Sequence, residues 1–270
     1  AYEYGTVTGV QTCALPICSM SASEPVLLAL GDRAWTLEFG QTIDPDINAR
    51  CHDLARRVRE QADAGVMRGV QDIVPTFRSV TVFYDALSAD GQALGEALLQ
   101  LARLSQARSA QGRHWRLPVY FGGERAADLA SVAEQAGCSV PEVIESLTQT
   151  PLRVYAMGFM PGFAYMAAWP KALQLPRRAP PRTAVAAQTL AIANAMACVY
   201  PWVSPGGWHW LGHMPIKLFD LREPEKSALL DAADEVMFYA VDEAEASALV
   251  KAQSQDAAFR WRFARSQDRS

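Results

Sequence analysis

Three short stretches hold the residues whose types and spacing could do chemistry. "PRRAPPR" (176–182) sets Arg177, Arg178 and Arg182 in a segment stiffened by prolines. A guanidinium grips a carboxylate or phosphate through paired N–H bonds, and a proline-held backbone loses less entropy on binding. "SPGGWHWLGH" (204–213) offers the Ser204 hydroxyl, backbone N–H groups at Gly206 and Gly207, and the pair His209 and His213. Glycines allow a ligand close to the backbone. The two histidines share a face of a strand. With no third ligand they make a weak metal site, so polar contact and plain structural roles stay open and no metal is assigned. "GFMPGFAYM" (158–166) flanks a Pro161-Gly162 turn with Phe159, Phe163 and Tyr165. Such a bend either walls an apolar cleft carrying one hydroxyl or fills a corner of the core.

The common catalytic signatures are absent. There is no GxxxxGK[ST] phosphate loop, no GxGxxG, no GxSxG elbow, no HExxH and no Met-Lys-Met biotin-attachment sequence.

The elements that must position these groups follow from periodicity. Residues 25–40 alternate around Gly31-Asp32, a hairpin signal. A helix follows, with Asp44 as cap, Pro45 in its first turn and Ile47, Cys51, Leu54 and Val58 on one face. Residues 70–85 suit one or two strands, and 92–107 a second amphipathic helix. The order predicts a small α+β domain over 20–110 with its helices on one sheet face. A polar linker spans 105–113. "LPVYFGGE" then ends a strand at Gly122-Gly123, and 124–136 and 140–149 suit short helices. From 152 to 220, short apolar runs are broken by proline or glycine every few residues, which predicts a closed or nearly closed β barrel within 111–245. A C-terminal helix and a basic, solvated tail complete 246–270.

Composition bounds the rest. The 270 residues are 50% hydrophobic and 20% charged, which gives globular material for a core. A net charge of −4 gives no reason to expect nucleic-acid binding, and no apolar run suits a membrane helix. The cysteines (Cys13, Cys18, Cys51, Cys138, Cys198) are odd in number and scattered, so reduced thiols in a cytoplasmic protein are expected. Residues 1–19 have neither signal-peptide features nor periodicity. They are expected to be a non-native leader ahead of Met20, and Cys13 and Cys18 go with them.

One resemblance is specific. "LPVYFGGE", "RVYAMGFMPGFAYM", "LPRRAPPRTAV" and "VYPWVSPGGWHWLGHMPIKLFD" occur in the order found in the KipI family, also called allophanate hydrolase subunit 1. The chain resembles that family and, within it, the B subunits (PxpB-like) of 5-oxoprolinases. It is also similar to the first half of the carboxyltransferase domain of urea carboxylases.

The resemblance implies an α+β N-terminal domain followed by a cyclophilin-like β barrel. It implies ATP-dependent opening of 5-oxoproline to glutamate, with ATP and magnesium bound by a complex. A C-type partner (KipA-like, allophanate hydrolase subunit 2) is implied, and an A-type one joins them. Tyr165, Arg182 and His213 become the catalytic candidates. Phe163, Arg177, Asn194, Ser204, Gly206 and Gly207 become the binding candidates. The family's Pro-Arg pattern favours Arg177 and Arg182. Two other roles stay open, a regulatory inhibitor of a histidine kinase and half of a biotin-dependent carboxyltransferase.

The sequence also departs from the family. Ala164 stands where the family has proline. Val185-Ala186-Ala187-Gln188-Thr189 replaces Val-Pro-Ala-Gly-Ser. Met196-Ala197 replaces a Gln-Thr pair, and His213 replaces an arginine. An arginine is always charged, whereas a histidine is mostly neutral at pH 7.

Overall fold

The computed structural model of the protein describes residues 24–107, 112–167 and 171–265. The expected leader, with Cys13 and Cys18, lies outside them.

The N-terminal module comprises β1 (Val26–Ala29), β2 (Ala34–Glu38), α1 (Pro45–Asp63), β3 (Val70–Pro75), β4 (Ser79–Tyr84) and α2 (Gly91–Leu104). The strands form one antiparallel sheet ordered β1-β2-β4-β3. Gly31 turns the first hairpin at φ 64°, a backbone conformation that costs a side chain strain. The Asp44 carboxylate accepts the Asp46 and Ile47 N–H groups, and Pro45 opens α1 where no donor is needed. Cys51, Leu54 and Val58 then point into a core with Leu37, Val80, Val82 and Leu98, all fully buried. Truncating one of these leucines to alanine costs about 2–5 kcal/mol.

The second module begins with β5 (His114–Val119), α3 (Leu129–Ala136) and α4 (Val140–Gln149). It continues through β6 (Leu152–Met157), β7 (Ala164–Ala167), β8 (Arg182–Val185), β9 (Thr189–Ala193), β10 (Met196–Val199), β11 (Ser204–Gly206) and β12 (His209–His213). β13 (Glu235–Ala240), α5 (Glu243–Gln255) and β14 (Ala264–Arg265) complete it. One sheet runs in the order β12-β9-β10-β7-β6-β13-β5-β14, and β8 pairs with β11 as a separate ribbon. A bridge between Tyr120, just past β5, and His213 on β12 brings the two sides together. The expected α+β architecture with a nearly closed barrel is what the chain adopts.

Strand alternation gives the barrel two faces. Val154, Ala164, Met166, Leu190, Ile192, Ala197, Val199 and Leu211 fill the interior. Phe163, Tyr165, Ala191, Ala193, Cys198, Tyr200, Trp208 and Trp210 form a second cluster with Val185 of the ribbon.

The C-terminal segment differs from the sequence reading. It is docked rather than solvated through Ala264: β14 adds to β5. Arg260 is fully buried, with its guanidinium donating to Glu223 Oε2 at 2.8 Å and to the carbonyls of Ser227 at 2.8 Å and Lys226 at 2.6 Å. Trp261 packs against Trp115 at 5.8 Å between ring centroids. A basic, arginine-rich sequence looks solvated until those acceptors come from elsewhere in the chain.

Candidate functional site

The aromatic cluster is built across neighbouring strands. Cys198 of β10 pairs with Ala191 of β9, which pairs with Trp210 of β12. Ala197 pairs with Met166 of β7, so Tyr165 falls beside Cys198. The small side chains of Ala191, Ala193 and Cys198 leave room for larger rings over the sheet. Phe163 packs centrally, with centroids 4.8 Å from Tyr165, 5.4 Å from Tyr200 and 6.2 Å from Trp208. The Pro161-Gly162 bend delivers these rings. Gly162 has φ 80°, and a Cβ there would stand 2.6 Å from that of Phe219. Phe163 is thus buried beneath Tyr165, whereas Phe159 on the same bend is 65% exposed.

Arg177 is fixed over this cluster by its neighbours. The Pro176 carbonyl meets His209 Nε2 at 2.9 Å, and the Arg178 N–H donates to the Gly207 carbonyl at 2.8 Å. Residues on both sides of Arg177 are therefore tied to 207–209, and its guanidinium lies 6.0 Å from the Trp208 ring centroid. Arg177 is exposed and meets no acidic partner among the described residues. The Tyr165 phenol is raised above its ordinary range by burial, with Cys198 adding and Arg177 opposing. It remains an O–H donor at neutral pH. Burial likewise pushes the Cys198 thiol well upward against the pull of Arg177, so this cysteine is no thiolate nucleophile.

Arg182 is differently placed. Asp128, at the start of α3, accepts both of its terminal nitrogens at 2.8 Å, Arg178 at 2.7 Å and the Trp210 N–H at 2.8 Å. Burial works to raise the Asp128 carboxyl. Hydrogen bonds from Arg182 and Trp210 and the arginine charges outweigh it, holding the group below the usual range. The Arg182 guanidinium also stacks 4.0 Å from the Trp210 centroid. Its donors serve the fold.

His213 stands apart from Tyr165. Three inter-strand steps separate β12 from β7, about 14 Å. His213 lines a cavity of about 370 Å³ with Tyr120, Gly122, Gly123, Arg125 and Ser247. Burial first, then the Arg125 charge, lowers its pKa to about 4, so it is neutral at pH 7.

Asn194 sits exposed at the β9–β10 turn with φ 53°. The Ser204 hydroxyl is buried and meets no partner among the described residues. Gly206 is required by packing, since a Cβ would strike the Tyr200 hydroxyl. Gly207 is a tether for Arg178. Of the Gln-Thr replacements, Met196 lies beside the aromatic cluster, whereas Ala197 faces the barrel interior. The structure brings Phe163, Tyr165 and Arg177 together and sets His213 at a separate cavity; Arg182 stacks on Trp210 of the same aromatic cluster while Asp128 takes its donors, and the Asn194 N–H donates to the Leu175 carbonyl, two residues from Arg177.

Sequence reasoning missed Asp128, Tyr200 and Trp208. Asp128 had one signal, an acidic residue just ahead of a helix. Its carboxylate makes no capping bond there and goes to the arginines instead. Among the described residues no group of three or more His, Cys, Asp or Glu is placed to hold a metal ion.

Known proteins share both the sequence and the fold described above. The carboxyltransferase domain, subdomain C and D, matches residues 25–230. The chain is 32% identical over 225 residues to the 5-oxoprolinase B subunit of Bacillus subtilis, covering 79% of this chain and 92% of that protein. It is 35% identical over 184 residues to the 5-oxoprolinase B subunit of Haemophilus influenzae, covering 68% and 83%. The crystal structure of TTHA0988 superposes with a TM-score of 0.67 at 32% identity, over 78% of this chain; the chain spans 40% of that longer polypeptide. The Kluyveromyces lactis urea amidolyase matches with a TM-score of 0.71 at 21% identity, over 88% of this chain and 16% of that one, a likeness of fold alone. The chain belongs to the carboxyltransferase-domain family of subdomains C and D.

Proposed function

We propose that this chain is the B-type component of an ATP-dependent 5-oxoprolinase-type hydrolase, which opens 5-oxoproline to glutamate together with a C-type partner; an A-type protein completes the assembly. The relatives named as B subunits of 5-oxoprolinase support this reading. The observation that carries it is Arg177, an exposed cation held over Trp208 beside the Tyr165 hydroxyl.

The substrate is a five-membered lactam with one carboxylate. Arg177 suits the carboxylate through a charge-assisted pair. Half-buried Tyr165 suits the ring face, with Phe163 and the buried Trp208 packed against it. The protonated Tyr165 hydroxyl is a donor available to orient the lactam carbonyl. Among the described residues no group of three or more His, Cys, Asp or Glu is placed to hold a metal ion, and magnesium would enter with ATP in the complex. ATP, bound by the complex, would supply the phosphoryl group that activates the lactam oxygen before water opens the ring.

Exposed apolar side chains around the bend support a partner there. Phe159, Trp202, Val203 and Leu221 are large apolar side chains left between 41% and 69% exposed. Trp202 joins the bend by donating from Nε1 to the Pro161 carbonyl at 3.0 Å, and it packs 5.7 Å from Phe219. Apolar surface of this kind marks interaction sites.

The test is reconstitution. The purified chain is mixed with a C-type 5-oxoprolinase component, and 5-oxoproline-dependent ATP hydrolysis and glutamate release are followed. Both are expected in the mixture and neither in the chain alone. Robust turnover by the chain alone, or no glutamate from the mixture with or without an A-type protein, would contradict the proposal.

A further inference from the structure

The N-terminal module reaches the aromatic site through one side chain. The connection between β3 and β4 places the Phe77 ring against Tyr155, stacked at 5.7 Å and 17°. The same ring meets Tyr165 edge-on at 6.0 Å and 67°. Phe77 therefore flanks Tyr165 from the β6 side, while Trp208 flanks it from the other at 6.2 Å.

This placement is pinned. Asn48 of α1 is fully buried, and its side-chain amide nitrogen donates to the Thr76 carbonyl at 3.0 Å and the Phe77 carbonyl at 3.4 Å. It also donates to the Tyr155 carbonyl of β6 at 3.0 Å. His52 Nε2 lies 3.3 Å from that same carbonyl. One side chain thus ties the Phe77 loop to the barrel strand next to Tyr165. The Asn48 Oδ1 is buried without a partner among the described residues. Burying an unmatched amide oxygen opposes stability, so the fold keeps Asn48 here at some expense.

We infer that Phe77 is a wall of the Tyr165–Arg177 site and limits the ring size of the lactam it accepts, with Asn48 as its positioning residue. The inference rests on the reading of that site as the lactam pocket. With Phe77 packed on one side of Tyr165 and Trp208 on the other, a lactam held over the Tyr165 ring would lie in a slot bounded along that line. A five-membered ring fits such a slot more readily than a six-membered one. Discrimination by a hydrophobic wall amounts to about 10–200-fold per methylene.

The test uses the complex with the C-type partner and two substrates, 5-oxoproline and its six-membered homologue, 6-oxopiperidine-2-carboxylate. Wild type is expected to prefer the smaller ring. Phe77→Ala is expected to raise the KM for 5-oxoproline about tenfold and to lower the ratio of kcat/KM values about tenfold. Phe77→Leu, which keeps apolar bulk, should shift that ratio about threefold, and it is decisive where the alanine variant fails to fold. Asn48→Ala should move the ratio in the same direction as Phe77→Ala. A folded Phe77 variant with the wild-type ratio and KM would overturn the inference. Arg177→Ala separates the two readings. If it raises KM while Phe77 variants do not, only the wall is wrong; if neither changes KM, the site itself is elsewhere.

Discussion

Arg177 and Arg182 belong to one proline-rich segment but point to different tasks. Asp128 takes Arg182 and Arg178, and nothing acidic takes Arg177 among the described residues. Arg182→Met should therefore lower stability while leaving the KM for 5-oxoproline within about twofold of wild type. Breaking an ion pair whose carboxylate is buried costs about 2–4 kcal/mol once the partial solvation of the arginines is allowed for, as denaturant unfolding would show. His213 gives a prediction in pH. Its pKa falls to about 4 in the fold, against about 6.5 unfolded, so the unfolded chain binds more protons between those values. Its contribution is present above about pH 6.5 and is lost as pH falls toward about 4. His52, also lowered by burial, acts with the same sign. Melting temperature should fall over that window, and His213→Asn should make the fall shallower. An unchanged slope would show that His213 is solvated. The resemblance brought Phe163, Tyr165 and Arg177 to notice because each lies in a dense local motif. It could not tell which arginine was free, because Asp128 lies about fifty residues away in sequence.

Elements explain why Arg177 is poised. The segment before β8 is laced to the start of β12 and the residues just ahead of it by Pro176–His209 and Arg178–Gly207, and Asp128 locks the same region to α3 and Trp210. Asp128→Ala should thus loosen Arg177 as well. The expected result is a loss of stability at least equal to that of Arg182→Met, together with a several-fold rise in KM. A normal KM would show that the laces alone suffice. Most elements were legible from sequence because their signals are local. Asp44-Pro45 capped α1, Gly31 turned β1 into β2, and the broken apolar runs gave the barrel strands. The docked C-terminal segment was not legible. Arg260 is buried only because Glu223, Lys226 and Ser227 converge on it from another turn.

At the scale of the molecule, two modules meet beside the site, and an exposed apolar edge lies along the same bend. TTHA0988 carries a matching region within a chain of which this one spans 40%. Arg177 is the proposed anchor for the substrate carboxylate. The measurement that tests it most directly is the 5-oxoproline dependence of ATP hydrolysis by the complex, with wild-type or Arg177→Ala chain and melting temperature as a control for folding. Loss of a charge-assisted pair costs about 1.5–3 kcal/mol, so KM should rise about 10- to 150-fold with no drop in melting temperature. An Arg177→Ala complex with wild-type KM would contradict the account.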